Sequence, residues 1–73
     1  MSIFKFNVDY YFRRLRELDI SQNECARRAD LSKESLSHYA NERVLPSVSA
    51  LYKLARALGV SMEELLVEVI INV

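Results

Sequence analysis

The sequence contains only one cysteine (Cys25) and one histidine (His38) among its 73 residues. A single cysteine excludes an internal disulfide and a cysteine-rich zinc site, and it is typical of a reducing cytosol rather than of secretion. A single histidine leaves few metal sites or catalytic triads that the chain could build. No hydrophobic run is long enough to span a bilayer, and the first residues have no signal-peptide layout. We therefore expect a cytoplasmic protein without metal, cofactor or membrane partner.

The sequence also lacks net charge, because 10 Lys and Arg side chains are balanced by 10 Asp and Glu side chains. With 51% hydrophobic residues, this balance excludes a disordered polyelectrolyte. A pI near 6.6 lacks the strongly basic signature of many DNA-binding domains. Any nucleic-acid function must therefore depend on where particular charges point. The length predicts one domain over residues 1–73, and a core this small favours reinforcement by self-association.

Glycine and proline occur once each, as Gly59 and Pro46, so most turns must be located from helix caps. Apolar residues recur at spacings of three and four, which predicts amphipathic helices. Asn and Ser residues precede these stripes and can cap the helices. Ser21–Glu24 and Ser61–Glu64 both read as reciprocal capping boxes. The pattern predicts an all-α, compact five-helix domain with helices over 8–18, 22–29, 32–41, 47–58 and 61–66. Its buried stripes are Val8, Phe12, Leu15 and Leu18 in the first helix, and Val48, Leu51, Leu54, Ala55 and Leu58 in the fourth.

The third predicted helix carries a polar arc. At about 100° per residue, five side chains fall within about 140° of its circumference. Leu36, Tyr39 and Ala40 fall on the opposite side, where they can attach the helix to the protein. A helix with this division fits the DNA major groove, where base edges present distinct donors and acceptors. The arc comprises Lys33, Glu34, Ser37, His38 and Asn41.

The two ends of the chain show a different periodicity. Phe4, Phe6 and Val8 alternate with polar residues near the N-terminus, and β-branched residues alternate through Val67, Val69, Ile71 and Val73. This pattern predicts short strands over 3–6 and 67–72, paired within one chain or between two. The alternative is that the C-terminal segment extends the fifth helix or frays, because short apolar runs are ambiguous in period.

Two helices joined by a short turn, the second bearing a polar arc, have the helix-turn-helix layout. The chain resembles the phage-repressor or Cro-type helix-turn-helix family, small XRE-like transcriptional regulators, over about residues 15–66. Where the family commonly has Gly between the two helices and after the second one, this sequence has Asp30 and Asn41-Glu42. Cys25 stands where Leu is usual. The segments that carry the resemblance are SQNECARRADLS (21–32), LSHY (36–39), PSV (46–48) and LARALGVSMEELL (54–66).

The resemblance implies roles for individual residues of a DNA-binding surface. Gln22 matches the side chain that contacts a phosphate and braces the reading helix. Arg14, Asn41 and Arg43 match further contacts to the sugar-phosphate backbone. The positions that match base-reading side chains or flank them are Ser32, Lys33, Glu34, Ser37 and His38.

The resemblance implies a sequence-specific regulator that binds double-stranded DNA as a homodimer, without a small-molecule effector, and acts as a repressor on the nucleoid. The alternative is a protein-interaction module of the same fold, such as an antitoxin-like or anti-repressor partner. The polar arc also has a simpler interpretation as a solvated helix face. No convergent catalytic residues or phosphate-binding glycine loop indicate an enzyme. We expect Cys25 to be buried, and Tyr10, Tyr11 and Tyr52 to be rim or packing residues or to line an interface.

Overall fold

The computed structural model describes residues 1–72, and Val73, the last residue of the alternating series, lies outside the described residues. Four α-helices form the body of the molecule, and the chain termini form a two-stranded ribbon. The two predicted strands are confirmed, although β2 ends at Ile70 and not at residue 72, and the first two predicted helices are confirmed. The elements are β1 (Ser2–Phe6), α1 (Val8–Leu18), α2 (Gln22–Ala29), α3 (Lys33–Ala40), α4 (Val48–Leu58), a 3₁₀ turn (Glu63–Leu65) and β2 (Leu66–Ile70).

The prediction of a fifth helix over 61–66 is wrong, because a 3₁₀ turn forms at Glu63–Leu65 instead. The reciprocal capping box does form there: Ser61 N donates to Glu64 Oε2 and Glu64 N donates to Ser61 Oγ, each at 3.2 Å. The chain then enters β2 at Leu66, because its backbone pairs with β1 instead of continuing the helix. Pairing of the chain ends therefore overrides the local helix signal.

Side-chain caps begin all four helices. In each case an oxygen of the capping side chain accepts a hydrogen bond from the backbone N–H three residues later, which satisfies a donor that the helix leaves unpaired. These bonds measure 3.1–3.2 Å. The cap residues are Asn7, Ser21, Ser32 and Ser47.

Left-handed residues end three of the four helices. Gly59 ends α4 with φ of 69°, whereas Asp19 and Asp30 end α1 and α2 with φ of 55° and 56°. Asp tolerates this conformation better than most residues, so the turn without glycine at Asp30 is confirmed. Glu42 also has a positive φ of 57°, two residues after α3, where the related family commonly has glycine.

The core lies between the four helices and is closed by the inner end of the ribbon. Tyr11 is fully buried at its centre, with its ring 5.4 Å from Phe6 and 5.0 Å from Phe12. Packing is therefore the role of Tyr11, whereas Tyr52 remains exposed. Val48 was predicted to be buried and is 76% exposed, because it begins α4 at the edge of the apolar stripe. The buried apolar side chains are those of Phe6, Tyr11, Leu15, Cys25, Ala26, Ala29, Leu36, Tyr39, Ala50, Leu51, Leu54, Ala55, Leu58 and Leu65.

The ribbon joins β1 and β2 in antiparallel register, with Ile3 opposite Val69 and Lys5 opposite Val67. The pairing lies within one chain, and the alternative of a C-terminal helix extension is wrong. Phe6 anchors the inner end in the core, whereas Phe4 is about half exposed and Ile70 is 71% exposed. The molecule measures 41 × 22 × 19 Å. In residues 1–72, each helix is too short or too polar to cross a membrane.

Candidate nucleic-acid interface

A tight turn fixes α3 against α2. Leu31 N donates to Ala26 O at 2.9 Å, and Asp30 N donates to Arg27 O at 3.3 Å. These bonds satisfy the last carbonyls of α2 while the left-handed Asp30 reverses the chain direction. Ala26 and Ala29 are both buried and carry only a methyl group. The small side chains on this face of α2 allow neighbouring helices to approach closely.

The inner face of α3 is apolar and buried. Leu36 is 1% exposed and Tyr39 is 8% exposed, and the Tyr39 ring lies 6.1 Å from that of Phe6. Burying two large side chains stabilises the helix by about 1.5–3 kcal/mol each relative to leaving them in water. The inner face therefore holds α3 in place without using any of its polar side chains.

The outer face of α3 is exposed to solvent along its whole length. Within residues 1–72, no hydrogen bond or salt bridge engages the side chains of Lys33, Glu34 or His38. The terminal ribbon packs on the core through its own residue Phe6 and leaves this face uncovered. The predicted base-reading residues therefore share one accessible surface, namely Ser32, Lys33, Glu34, Ser37 and His38.

The two serines of this surface are partly engaged in the helix. Ser32 Oγ accepts from Ser35 N at 3.1 Å and donates to Ser35 Oγ at 2.8 Å. Asn41 Nδ2 donates to Ser37 O at 2.8 Å and to Ser37 Oγ at 3.3 Å. Ser32 therefore caps α3, and Asn41 closes its last turn. Ser32 and Asn41 retain exposed polar atoms, but their first role is to fix the two ends of the helix.

The segment after α3 turns sharply through Glu42. Arg43 N donates to His38 O at 2.9 Å and Glu42 N donates to Tyr39 O at 3.1 Å, which satisfies carbonyls at the end of the helix. The left-handed Glu42 lies between Asn41 and Arg43, and all three residues are exposed. The turn thus places one cation and one anion beside the end of the polar face.

Gln22 is half-buried at the start of α2. Its Oε1 accepts a hydrogen bond of 3.1 Å from the hydroxyl of Tyr11, and burial raises the pKa of that hydroxyl. The bond connects α2 to α1, so the brace that the structure shows runs to α1. Within residues 1–72, the amide NH2 of Gln22 has no hydrogen-bond partner, and it lies in the first turn of α2, where the helix dipole also favours an anion.

Arg14 lies on the flank of α1 that contacts α4. Its Nε donates to Leu58 O at 2.7 Å, at the last turn of α4, and its Nη1 lies 3.3 Å from Glu17. A cation at a helix C-terminus is stabilising, so the structure gives Arg14 an intramolecular role. Its predicted phosphate contact stays a prediction that must compete with these bonds.

Arg16 is a candidate that the sequence reading missed. It is exposed and lines a groove with Phe12 and Gln22, on the other flank of α1 from Arg14. Two positions along a helix correspond to about 200° of rotation, which explains why neighbouring arginines face different partners. The helical wheel could have separated them, because Arg16 lies next to Phe12 and away from the face that meets α4.

The cations of α2 are held by their own helix. Glu24 accepts hydrogen bonds from Arg27 and from Arg28, the latter at 2.8 Å. These bonds lower the pKa of Glu24 to about 2. The predicted reciprocal box at Ser21 is therefore only half formed, because the Glu24 carboxylate faces the arginines while its N–H bonds to Ser21 Oγ.

Cys25 is fully buried, as predicted, and burial raises the pKa of its thiol to about 11. A thiol in this environment stays protonated and behaves as a small apolar side chain. Among residues 1–72, no group of three or more His, Cys, Asp or Glu side chains is arranged to hold a metal ion.

A comparison with protein families relates this arrangement of helices to a known family. A family model described as helix-turn-helix matches residues 12–65. This range includes α1 from Phe12 onward, the whole of α2, α3 and α4, and the 3₁₀ turn. A comparison with curated proteins found no match. The matched region covers most of the chain and contains the α2–turn–α3 unit described above. The chain therefore belongs to the Cro- and repressor-like helix-turn-helix family of DNA-binding transcription regulators.

Proposed function

We propose that this protein is a sequence-specific transcriptional repressor that binds double-stranded DNA as a homodimer, with the outer face of α3 in the major groove. The observation that carries the proposal is the division of α3. Its apolar side chains are buried, whereas Lys33, Glu34 and His38 are exposed and have no partner within residues 1–72. A helix that leaves a continuous polar face free on a rigid support is suited to reading base edges.

The base-reading roles follow from side-chain chemistry. Lys33 donates to the N7 and O6 acceptors of guanine, and Glu34 accepts from the amino group of cytosine. His38 offers one donor and one acceptor in its neutral form. Ser32 at the start of α3 and Ser37 near its middle add shorter contacts, within the limits set by their hydrogen bonds to Ser35 and Asn41.

The phosphate contacts flank this surface. The amide NH2 of Gln22 donates to a phosphate while Tyr11 holds its oxygen, and Arg16 adds a cation in the adjoining groove. At the other end, Asn41 and Arg43 reach the sugar-phosphate backbone. Such contacts position the protein on DNA without selecting a sequence. In a dimer, the two reading helices would address half-sites about 34 Å apart, and occupancy near a promoter would exclude the polymerase.

In-vitro selection from a random duplex library tests this proposal. We expect enrichment of a two-fold symmetric sequence, with half-sites about one helical turn apart. Affinity for the selected duplex should fall with salt, with a log–log slope of about −0.9 per neutralised phosphate. Because only a few cations flank α3, we expect that few phosphates are neutralised and that the slope is therefore shallow. Absence of enrichment, together with no duplex binding at low salt, would refute the proposal.

A second candidate function is a protein-interaction module of the same fold. It is favoured by exposed apolar side chains on the segment between α3 and α4 and at the first residue of α4, where Val44, Leu45 and Val48 are 52%, 47% and 76% exposed, and by the zero net charge. Clustered exposed apolar groups indicate a contact surface. The same salt titration separates the candidates, because this one predicts duplex binding that is absent or insensitive to salt.

A further inference from the structure

The terminal ribbon has one edge that is open for pairing. Asn7 N donates to Leu65 O, and Ile71 N donates to Met1 O, each at 2.8 Å. In an antiparallel pair, hydrogen-bonded and non-hydrogen-bonded positions alternate. The odd-numbered residues of the ribbon therefore bond across it. The N–H and C=O groups of Glu68 and Ile70 and the C=O of Leu66 point outward from β2, whereas the N–H of Leu66 donates to Glu63 O.

The two edges of the ribbon differ in their surroundings. Phe4 and Lys5 lie on opposite faces of β1, yet both line a groove with Val44 and Leu45. The segment after α3 therefore runs beside the outer edge of β1. Since the sheet has two strands, β2 provides the edge that faces away from this segment.

The ribbon is incomplete by itself. A two-stranded sheet is marginally stable in water and needs further strands, or packing against a helix, for independent stability. Only the inner end of this ribbon packs on the helical core, through Phe6. This ribbon has no connecting turn, because the four helices lie between its two strands in the sequence. Its outer half exposes Ile3, Phe4 and Ile70. An exposed apolar strand edge is a template for another strand.

We propose that β2 pairs in antiparallel fashion with β2 of a second copy of this chain, which makes a continuous four-stranded sheet across the dimer. This inference rests on the homodimer of the proposed function and deepens it by naming the contact surface. A two-fold axis at Val69 forms a continuous apolar row, from Ile3 and Val69 of one copy to Val69 and Ile3 of the other.

The charge of Glu68 selects between registers. An axis at Glu68 would place two carboxylates directly opposite each other, which is destabilising. An axis at Val69 places Glu68 opposite Ile70 of the other copy instead. An axis at Val67 would end its row with Lys5 on both sides, since Lys5 pairs with Val67 within each copy. The axis at Val69 avoids the like-charge pair and buries the most apolar row.

The interface is small for a permanent dimer. A strand of five residues is about 17 Å long, so the pairing of two such strands makes an interface smaller than the roughly 1,200–2,000 Å² of stable interfaces. The dimer is therefore weak in free solution and is completed on DNA, where both copies bind adjacent half-sites. In such a weak dimer the ribbon stays paired within each chain, and the edge of β2 stays open until two copies meet.

A proline at position 68 tests the edge without removing a bond within the ribbon. Glu68→Pro deletes an outward N–H, which edge strands tolerate, whereas Ser2→Pro does the same on the outer edge of β1 and is the matched control. Val69→Lys is a second variant that places two ammonium groups at the axis. Sedimentation equilibrium from micromolar to near-millimolar protein measures association of the full chain, and circular dichroism checks that each variant is folded.

We expect the native chain and Ser2→Pro to dimerise in the upper part of this range, and Glu68→Pro and Val69→Lys to stay monomeric. On DNA, Glu68→Pro should bind a single half-site as the native chain does, but lose about tenfold in cooperative binding to two half-sites. A native chain that stays monomeric throughout, or a folded Glu68→Pro that dimerises normally, would overturn the inference. The sedimentation result needs no DNA, so it stands or fails separately from the proposed function.

Discussion

The helices α2 and α3 have the same length and the same type of cap but use their charges differently. Each has eight residues and begins after a serine whose hydroxyl accepts an N–H bond of 3.1 Å. In α2, Glu24 holds both Arg27 and Arg28. In α3, the charged side chains are exposed and have no partner within residues 1–72.

This difference indicates which of the two helices is available to a ligand. Polar groups that are already paired within a helix must break those bonds before they bind elsewhere, which weakens the net gain. Unpaired exposed groups on a helix held by buried apolar contacts have no such cost. The helix-turn-helix unit therefore combines one helix that stabilises itself with one that is left free on its outer side.

The largest expected effect concerns the attachment of α3. Leu36→Ala should lower the free energy of unfolding by about 3 kcal/mol, within the range for truncating a buried leucine, because Leu36 is 1% exposed. Lys33→Ala on the outer face of the same helix should change it by less than about 0.5 kcal/mol. Urea denaturation measures both. Equal destabilisation by the two variants would contradict the division between inner and outer faces.

The next effect concerns the preference for particular base pairs, measured with the duplex obtained by in-vitro selection. Lys33→Ala or Glu34→Ala should change the preference at particular base pairs by about 1–3 kcal/mol. Arg27→Ala on α2 is the control and should leave base preference unchanged, because Glu24 holds Arg27. Competition binding against single-base variants of the selected site measures these preferences.

Gln22→Ala and Arg43→Ala should instead weaken binding to all of these duplexes by similar factors, as expected for phosphate contacts. If Lys33→Ala also weakened every duplex equally, it would be a phosphate contact rather than a base reader. If Arg27→Ala altered base preference, the contrast between α2 and α3 would not hold.

The smallest expected effect is a pH dependence of folding stability that arises from Glu24 on α2. The pKa of Glu24 falls from an ordinary value of 4.5 to about 2 in the folded chain, so its ion pairs stabilise the fold fully above pH 4.5. That contribution is lost as the pH falls towards 2. It should be modest and sensitive to salt, because the arginines are exposed.

Thermal unfolding between pH 6 and 2 measures this loss of stability, in steps of about one pH unit. Glu24→Gln should remove part of the slope, whereas Glu34→Gln, which alters a carboxylate without a partner on α3, should leave the slope as it is in the native chain. A slope unchanged by Glu24→Gln would mean that the pairs contribute nothing measurable.

Much of the fold could be predicted because its signals are local. Helix caps, apolar spacing and the helix-ending residues Asp30 and Gly59 predicted the observed bounds of α1 and α2. They predicted the bounds of α3 and α4 to within about one residue. The polar arc of α3 was equally legible, since 3.6-residue periodicity alone divides its faces. The predicted site residues on α3 are brought together on one surface for this reason.

The remaining features depended on contacts between distant residues. The choice between a strand and a helix at 66–70 was made by pairing with residues near the N-terminus. The roles of Arg14 and Arg16 diverged because α4 occupies one flank of α1 and Gln22 the other. Tyr11 became the centre of the core through contacts with Phe6 and Phe12, which the spacing of the apolar stripe did not identify.

The amino-acid sequence by itself determined where the helices start and stop and which face of α3 is polar, because caps and periodicity act within a few residues. Only the tertiary structure decided which charged groups remain free, which arginine lies beside Gln22, and that the chain ends pair and leave the β2 edge open. Those outcomes depend on which elements meet in space, and no short-range pattern in the chain encodes them.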